Sequence, residues 1–150
     1  YKRQVGAPGE YPLMRDIAAR ARESVVCCDR PGTTLGSLKV LIRDCRLVIC
    51  NDTGPRHYAI AFGRPVITIF GPTHQEWTDT GYAGEIKIQA RVPCGPCQLS
   101  ECPIDLRCMA AVTTDMVVQA AEKLLGRTPA SGPGAERQDH VNAAAGQDVG

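Results

Sequence analysis

Aromatic residues are scarce: Phe, Trp and Tyr make up 5% of the 150 residues, with a single tryptophan. Few stacking platforms are therefore on offer to single-stranded nucleic acid. An excess of charge of one sign is missing too. Lys and Arg number 17 against 16 Asp and Glu, a formal net charge of +1, and no basic run stands out. The electrostatic footprint of nucleic-acid binding is absent. No apolar run approaches the ~20 residues of a transmembrane helix, no secretory signal is recognisable, and no internal repeat is evident. The chain opens Tyr1-Lys2-Arg3 without a methionine, which leads us to expect a natural N-terminus further upstream.

Cysteine is what the chain has in plenty, with eight. Cys27, Cys28, Cys45 and Cys50 lie inside apolar runs and read as small core residues. Without a secretory signal a reducing compartment is the default, which argues against a disulfide framework. The length suits one domain with a full core, or half of a larger enzyme.

Residues 47–73, LVICNDTGPRHYAIAFGRPVITIFGPT, organise the rest. The apolar run Leu47 to Cys50 stops at Asn51-Asp52-Thr53-Gly54. A stretch of small and apolar residues, His57 to Phe62, ends at Gly63, and the β-branched run Val66 to Phe70 stops at Gly71-Pro72-Thr73. Period and punctuation predict strand, loop, helix, strand, loop. Strands apolar on both faces suit a parallel sheet covered by helices. Both polar loops then lie at carboxyl ends of neighbouring strands, where open α/β sheets bind ligands.

The first loop suits an anion and a polyol. Gly54 permits close backbone approach, Pro55 suits a first helical turn, and a helix N-terminus favours phosphate. Thr53 can cap that helix or donate a hydroxyl, Asp52 can accept from sugar hydroxyls, and His57 can face the same spot. The plainer alternative is that Asp52 and Thr53 only cap the helix while His57 packs.

Elsewhere, Val5 to Glu10 reads as a strand end and a loop, and residues 11–23 as a helix with Leu13, Ile17 and Ala21 on its apolar face. Glu10 at that junction can complement the helix N-terminus. Ser24 to Asp29 reads as a strand. Thr34 can cap a helix from Leu35 to Cys45 that buries Leu38, Leu41 and Ile42, with Lys39 solvated. Trp77 is expected to pack, the alternative being to cover an adenine or sugar face. Glu85 to Gln89 alternates as an edge strand. A last helix spans Asp115 to Leu125, and the Pro-, Gly- and Ala-rich stretch 127–150 reads as a disordered tail.

Between them lies Cys94, Cys97, Cys102 and Cys108, spaced C-x2-C-x4-C-x5-C. Four thiols at this density can close a tetrahedral zinc site with Zn–S bonds of ~2.3 Å. An iron–sulfur cluster, a redox C-x-x-C pair and plain reduced thiols are the alternatives.

The run NDTGPRHYAIAFGRPVITIFGPT resembles the signature of the ADP-heptose:lipopolysaccharide heptosyltransferases, glycosyltransferase family 9: D-[ST]-G-x-x-H-x-A-x-A, then a proline opening a strand that ends G-P-T. Asp52-Thr53-Gly54, His57, Ala59, Ala61, Pro65 and Gly71-Pro72-Thr73 fit it. So do Gly6-Ala7-x-x-Glu10 and Thr34-Leu35, and some heptosyltransferase-like proteins carry a similar cysteine run. The resemblance implies a Rossmann-like α/β fold, a parallel sheet flanked by helices with a Cys-rich loop. Residues 1–126 would be the C-terminal, donor-binding half of a GT-B enzyme. It implies ADP-heptose as donor, with Asp52 on sugar hydroxyls, Thr53 and Gly54 on the diphosphate, His57 in the same pocket and Glu10 on the ribose. Transfer would need no cofactor, leaving any zinc structural. The lipopolysaccharide inner core or lipid A would be the acceptor, held by an N-terminal half that also carries the catalytic base, in a heptosyltransferase II-like reaction. A cytoplasmic enzyme peripheral to the inner membrane is implied. Readings from other classes are a non-catalytic four-cysteine metal module and a sugar-nucleotide sensor.

Overall fold

The computed structural model describes residues 2–30 and 32–126, so the expected tail at 127–150 lies outside the described residues. Among the described residues five strands form two parallel sheets. β1 (Lys2–Gln4) pairs with β2 (Val25–Cys27); β3 (Val48–Asn51), β4 (Val66–Phe70) and β5 (Glu85–Gln89) lie side by side in that order. Parallel neighbours need crossovers. α1 (Tyr11–Arg20) carries the chain from β1 to β2 and α3 (Gly54–Ala61) from β3 to β4, with α2 (Leu35–Asp44) between β2 and β3. Irregular residues 71–84 return β4 to β5. The short α4 (Arg107–Ala110) and the longer α5 (Thr114–Gly126) close the described chain.

The core sits around β4, whose Val-Ile-Thr-Ile-Phe sequence favours a pleated strand covered on both sides. On one face Ile67 meets Ile88 of β5 and Ala120 and Leu124 of α5. On the other, Val66 packs with Ile42 of α2 and Ala59 of α3. Full burial of Ile67 or Phe70, both 0% exposed, stabilises by roughly 1.5–3 kcal/mol each. α3 stops at Gly63, whose φ of +63° is a left-handed conformation that glycine adopts without strain. α2 starts as expected: Thr34 Oγ1 accepts from the Ser37 N–H at 3.1 Å and Ser37 Oγ accepts from the Thr34 N–H at 2.9 Å.

Two expectations fail around this core. The strands are not all covered on both faces: burial alternates along β3, and Ile49 is half exposed. Only β4 is flanked on both sides by helices and by neighbouring strands, which is why it alone is buried nearly throughout. α1 is also turned over from the expected face. Leu13, Ile17 and Ala21 are exposed, and Met14 is buried instead. The cause is the narrow two-stranded sheet beneath it, on which Met14 sits, its carbonyl accepting the Cys27 thiol at 3.4 Å. The helix ends at Arg20, three residues early, because Ala21 is already extended at φ −69°, ψ 134°.

Candidate functional site

β3 and β4 are parallel neighbours, so the loops leaving them emerge from the same end of the sheet. In the first loop Thr53 occupies the N-cap position of α3 in extended conformation without a side-chain cap. Its hydroxyl donates to the Asn51 carbonyl at 3.2 Å. The hydroxyl therefore does not cap the helix, and its bond is to the backbone of its own loop. A Cβ at Gly54 would meet nothing within 4 Å, so open space lies before the first turn of α3. His57, one turn in, is exposed and does not pack.

The second loop is held from below. Gln89 Nε2 donates to the carbonyls of Gly71 at 3.1 Å and Thr73 at 2.7 Å, while the Gln98 N–H donates to that of Pro72 at 2.9 Å. Three successive carbonyls thereby have donors, which sets the loop's shape.

Beneath the first loop lies a cluster that the motif does not contain. Arg56 is 0% exposed and its guanidinium spends four N–H bonds on three neighbours. Nε and Nη2 donate to the two oxygens of Glu85 at 2.6 and 3.0 Å. Nη1 donates to Asp52 Oδ1 at 3.0 Å and to Thr78 Oγ1 at 2.7 Å. Buried Thr68 donates to Glu85 Oε1 at 2.5 Å, and the Phe70 ring centroid lies 5.2 Å from the guanidinium carbon. Burial pushes the Glu85 carboxyl up, but the Arg56 and Thr68 hydrogen bonds and the Arg56 charge outweigh it and hold Glu85 below its ordinary value. The hydrogen bond to Glu85 raises Arg56 in turn. Asp52 keeps 14% of its side chain exposed, and among the described residues Oδ2 has no donor. The Asp52-x-x-x-Arg56 spacing, one helical turn, was the available signal for the first of these contacts. Glu85 carried none beyond its place at the head of a strand.

Asp52, Thr53, Gly54 and His57 thus share one junction. Glu10 stands apart on the β1 side, where its Oε2 accepts the Ala7 N–H at 2.6 Å and closes a 3-10 turn over Pro8–Glu10. Among the described residues no hydrogen bond or ion pair links it to the Asp52 loop. Trp77 does not pack: it is 74% exposed, with the His74 ring stacked 5.0 Å from it. Its neighbour Thr78 turns inward to Asp52.

The four clustered thiols do not converge. Cys108 is buried beside Gly71, whereas Cys97 and Cys102 are exposed, and the Cys102 thiol accepts the Leu106 N–H at 3.3 Å within its own loop. Among the described residues no group of three or more His, Cys, Asp or Glu is placed to hold a metal ion. The possible zinc site of Cys94, Cys97, Cys102 and Cys108 is not assembled: α4 buries Cys108, while Cys97 and Cys102 stay exposed. No helix among the described residues is long and apolar enough to cross a membrane.

Known proteins are similar to this chain. The lipooligosaccharide heptosyltransferase 2 of Campylobacter jejuni is 32% identical over 95 residues, covering 62% of this chain and 30% of that protein. The solved Escherichia coli ADP-heptose LPS heptosyltransferase II superposes with a TM-score of 0.67 at 20% identity, over 83% of this chain and 36% of that one. A family 9 glycosyltransferase from Veillonella parvula does so at 0.68 and 21%, over 85% and 37%. At those identities the superpositions speak for the fold alone, a Rossmann-like parallel α/β arrangement. The chain spans about a third of the length of these relatives. The sequence profile of glycosyltransferase family 9 (heptosyltransferase) matches residues 10–107, nearly two thirds of the chain, and the chain belongs to that family.

Proposed function

We propose that this chain is the donor-binding part of a heptosyltransferase that moves heptose from ADP-heptose to the lipopolysaccharide inner core, in the manner of heptosyltransferase II, in the cytoplasm at the inner membrane. The observation that carries the reading is the Asp52 junction: a carboxylate with one committed and one open oxygen, beside open space at a helix start. Asp52 Oδ2 accepts from sugar hydroxyls. The diphosphate lies before Gly54, where the backbone N–H and the helix dipole favour negative charge, with the Thr53 hydroxyl beside it. His57 borders the same pocket, and Glu10, whose Oε1 has no donor among the described residues, takes the ribose hydroxyls. Leaving-group charge carried by backbone N–H groups and side chains makes a metal unnecessary for transfer. No residue of this chain is assigned as the catalytic base. That role and acceptor binding go with the N-terminal half implied by the resemblance.

Calorimetric titration of the chain with ADP and with ADP-heptose tests this. Asp52→Ala is expected to weaken ADP-heptose roughly tenfold to a hundredfold, the loss of a charged hydrogen-bond partner, and to leave ADP unchanged. Gly54→Val is expected to weaken both, since its side chain would enter the space before the helix, where a Cβ meets no protein atom within 4 Å. A folded wild type that binds neither ligand would end the reading.

A further inference from the structure

We infer that Arg56 is a positioning residue for Asp52: braced by Glu85, it fixes one carboxylate oxygen so that the other is presented to a sugar hydroxyl. The inference rests on Asp52 being the hydroxyl acceptor proposed above. Arg56 cannot meet a ligand itself, because its side chain is fully buried while that of Asp52 reaches the surface. It can only act through its neighbour.

The bracing is what separates it from an ordinary ion pair. Glu85 grips the guanidinium through two parallel bonds, the arrangement that gives an arginine–carboxylate pair a defined orientation. Thr68 holds Glu85 and the guanidinium carbon lies over the Phe70 ring, so the four N–H bonds of the fully buried Arg56 are made in a fixed setting. Nη1 is thereby aimed at a fixed point, and Asp52 Oδ1 occupies it together with Thr78 Oγ1. An unbraced aspartate at a loop end would lose rotamer freedom when a ligand bound. Here that freedom is already removed. Charge follows the same division: the buried Arg56–Glu85 pair is neutral as a unit, which leaves the Asp52 charge at the mouth. A negative mouth suits hydroxyl donors and repels phosphate, which assigns the diphosphate to the Gly54 side and the sugar to the Asp52 side.

Two variants of the full chain test this. Arg56→Lys keeps the charge but cannot fork, and Arg56→Met with Glu85→Gln removes both fully buried charges together, so that the one ion left without its partner is Asp52, which reaches the surface. Both are expected to weaken ADP-heptose roughly tenfold, as expected for a misplaced hydrogen bond, with ADP affinity unchanged. In an Asp52→Ala background neither should weaken ADP-heptose further, because the effect runs through Asp52. A merely structural arginine would lower stability yet leave the ratio of the two affinities alone. Crystal structures of both variants form the second arm, and the Asp52 carboxylate is expected to leave its wild-type position. Unchanged sugar discrimination, or an undiminished loss in the Asp52→Ala background, overturns the inference. If wild type binds neither ligand, the heptosyltransferase reading fails by itself. The crystal structures then still decide: a displaced carboxylate supports the positioning role, and an unmoved one overturns it.

Discussion

Arg56 and Glu85 stand 29 residues apart and meet in a two-bonded fork with side chains 0% and 1% exposed. Halving a buried pair is costly because the survivor keeps its charge in a dry site, and Arg56 would be left with only the Nη1 bonds to Asp52 and Thr78. Glu85→Ala should therefore destabilise the fold by about 3–5 kcal/mol, and would also strip buried Thr68 of its acceptor. Urea unfolding followed by circular dichroism measures it. A loss below about 1 kcal/mol, the range of an exposed pair, would mean the fork is solvated.

The same pair sets an acid limit. Glu85 is held below its ordinary value in the fold, while in the unfolded chain it titrates near about 4.3. The folded state then binds fewer protons than the unfolded one in this range. The contribution of Glu85 is complete above about pH 4.3 and is lost as pH falls through the lower folded value. Asp29, Asp44, Asp79 and Asp105 are lowered as well, first by hydrogen bonds from Arg15, Arg43, Lys87 and Arg107 respectively, but at the surface. Unfolding at ~1 M salt, where the screening length is about 3 Å, removes most of their part. The acid slope that persists should flatten in Glu85→Gln.

Gly84, next to the fork, has no room for a side chain. A Cβ there would lie 2.5–2.6 Å from the Tyr82 ring, a rigid group packed on the Ile42–Ala59–Val66 cluster. Gly84→Ala should cost about 1–3 kcal/mol by overpacking. A double variant with Tyr82→Ala would recover part of the clash, and thermal melting compares the two.

Trp77 should be dispensable for the fold. With 74% of its surface in water, Trp77→Ala is expected to change stability by no more than about 0.5 kcal/mol. Denaturant titration of that variant settles the point, and a larger loss would mean the ring packs after all.

The thiols should react in a defined order. Cys102 is exposed, and N–H groups of Ile104 and Leu106 hold its pKa below the usual thiol value. Cys50 is half-buried, and burial followed by the Glu85 charge pushes it up to about 11. Brief iodoacetamide treatment at neutral pH should label Cys102 well before Cys50 and buried Cys108, since the thiolate is the nucleophile. Peptide mass spectrometry reads the order.

Local signals were legible in the sequence where they sufficed. Val66 to Phe70 is a strand at the expected residues, Thr34 caps α2 and Gly63 follows α3, because β-branching, a cap hydroxyl and a left-handed glycine act over a few residues. Glu85 to Gln89 is the expected edge strand. What depended on the width of a sheet or on a distant partner was not legible. The apolar stripe of α1 named Leu13 and Ile17, but two short strands offer too little surface to cover it. The spacing of Cys94 to Cys108 permits a metal site without compelling one, since the path of the chain between thiols decides whether they meet. At the candidate site the Asp52, Gly54 and His57 junction followed from the motif. The brace under Asp52 did not, because half of it comes from Glu85.

The long-range bonds beneath Asp52 also order events in time. Asp52 and Arg56 are neighbours as soon as α3 winds, a local step. Glu85, 29 positions further on, can join them only after the intervening segment has closed and β5 has paired with β4, and such closures carry an entropic cost that local contacts avoid. The loop between β3 and α3 thus forms early in outline and acquires its final shape late. Slowing the docking of β5 would delay a competent site while leaving most helical structure intact.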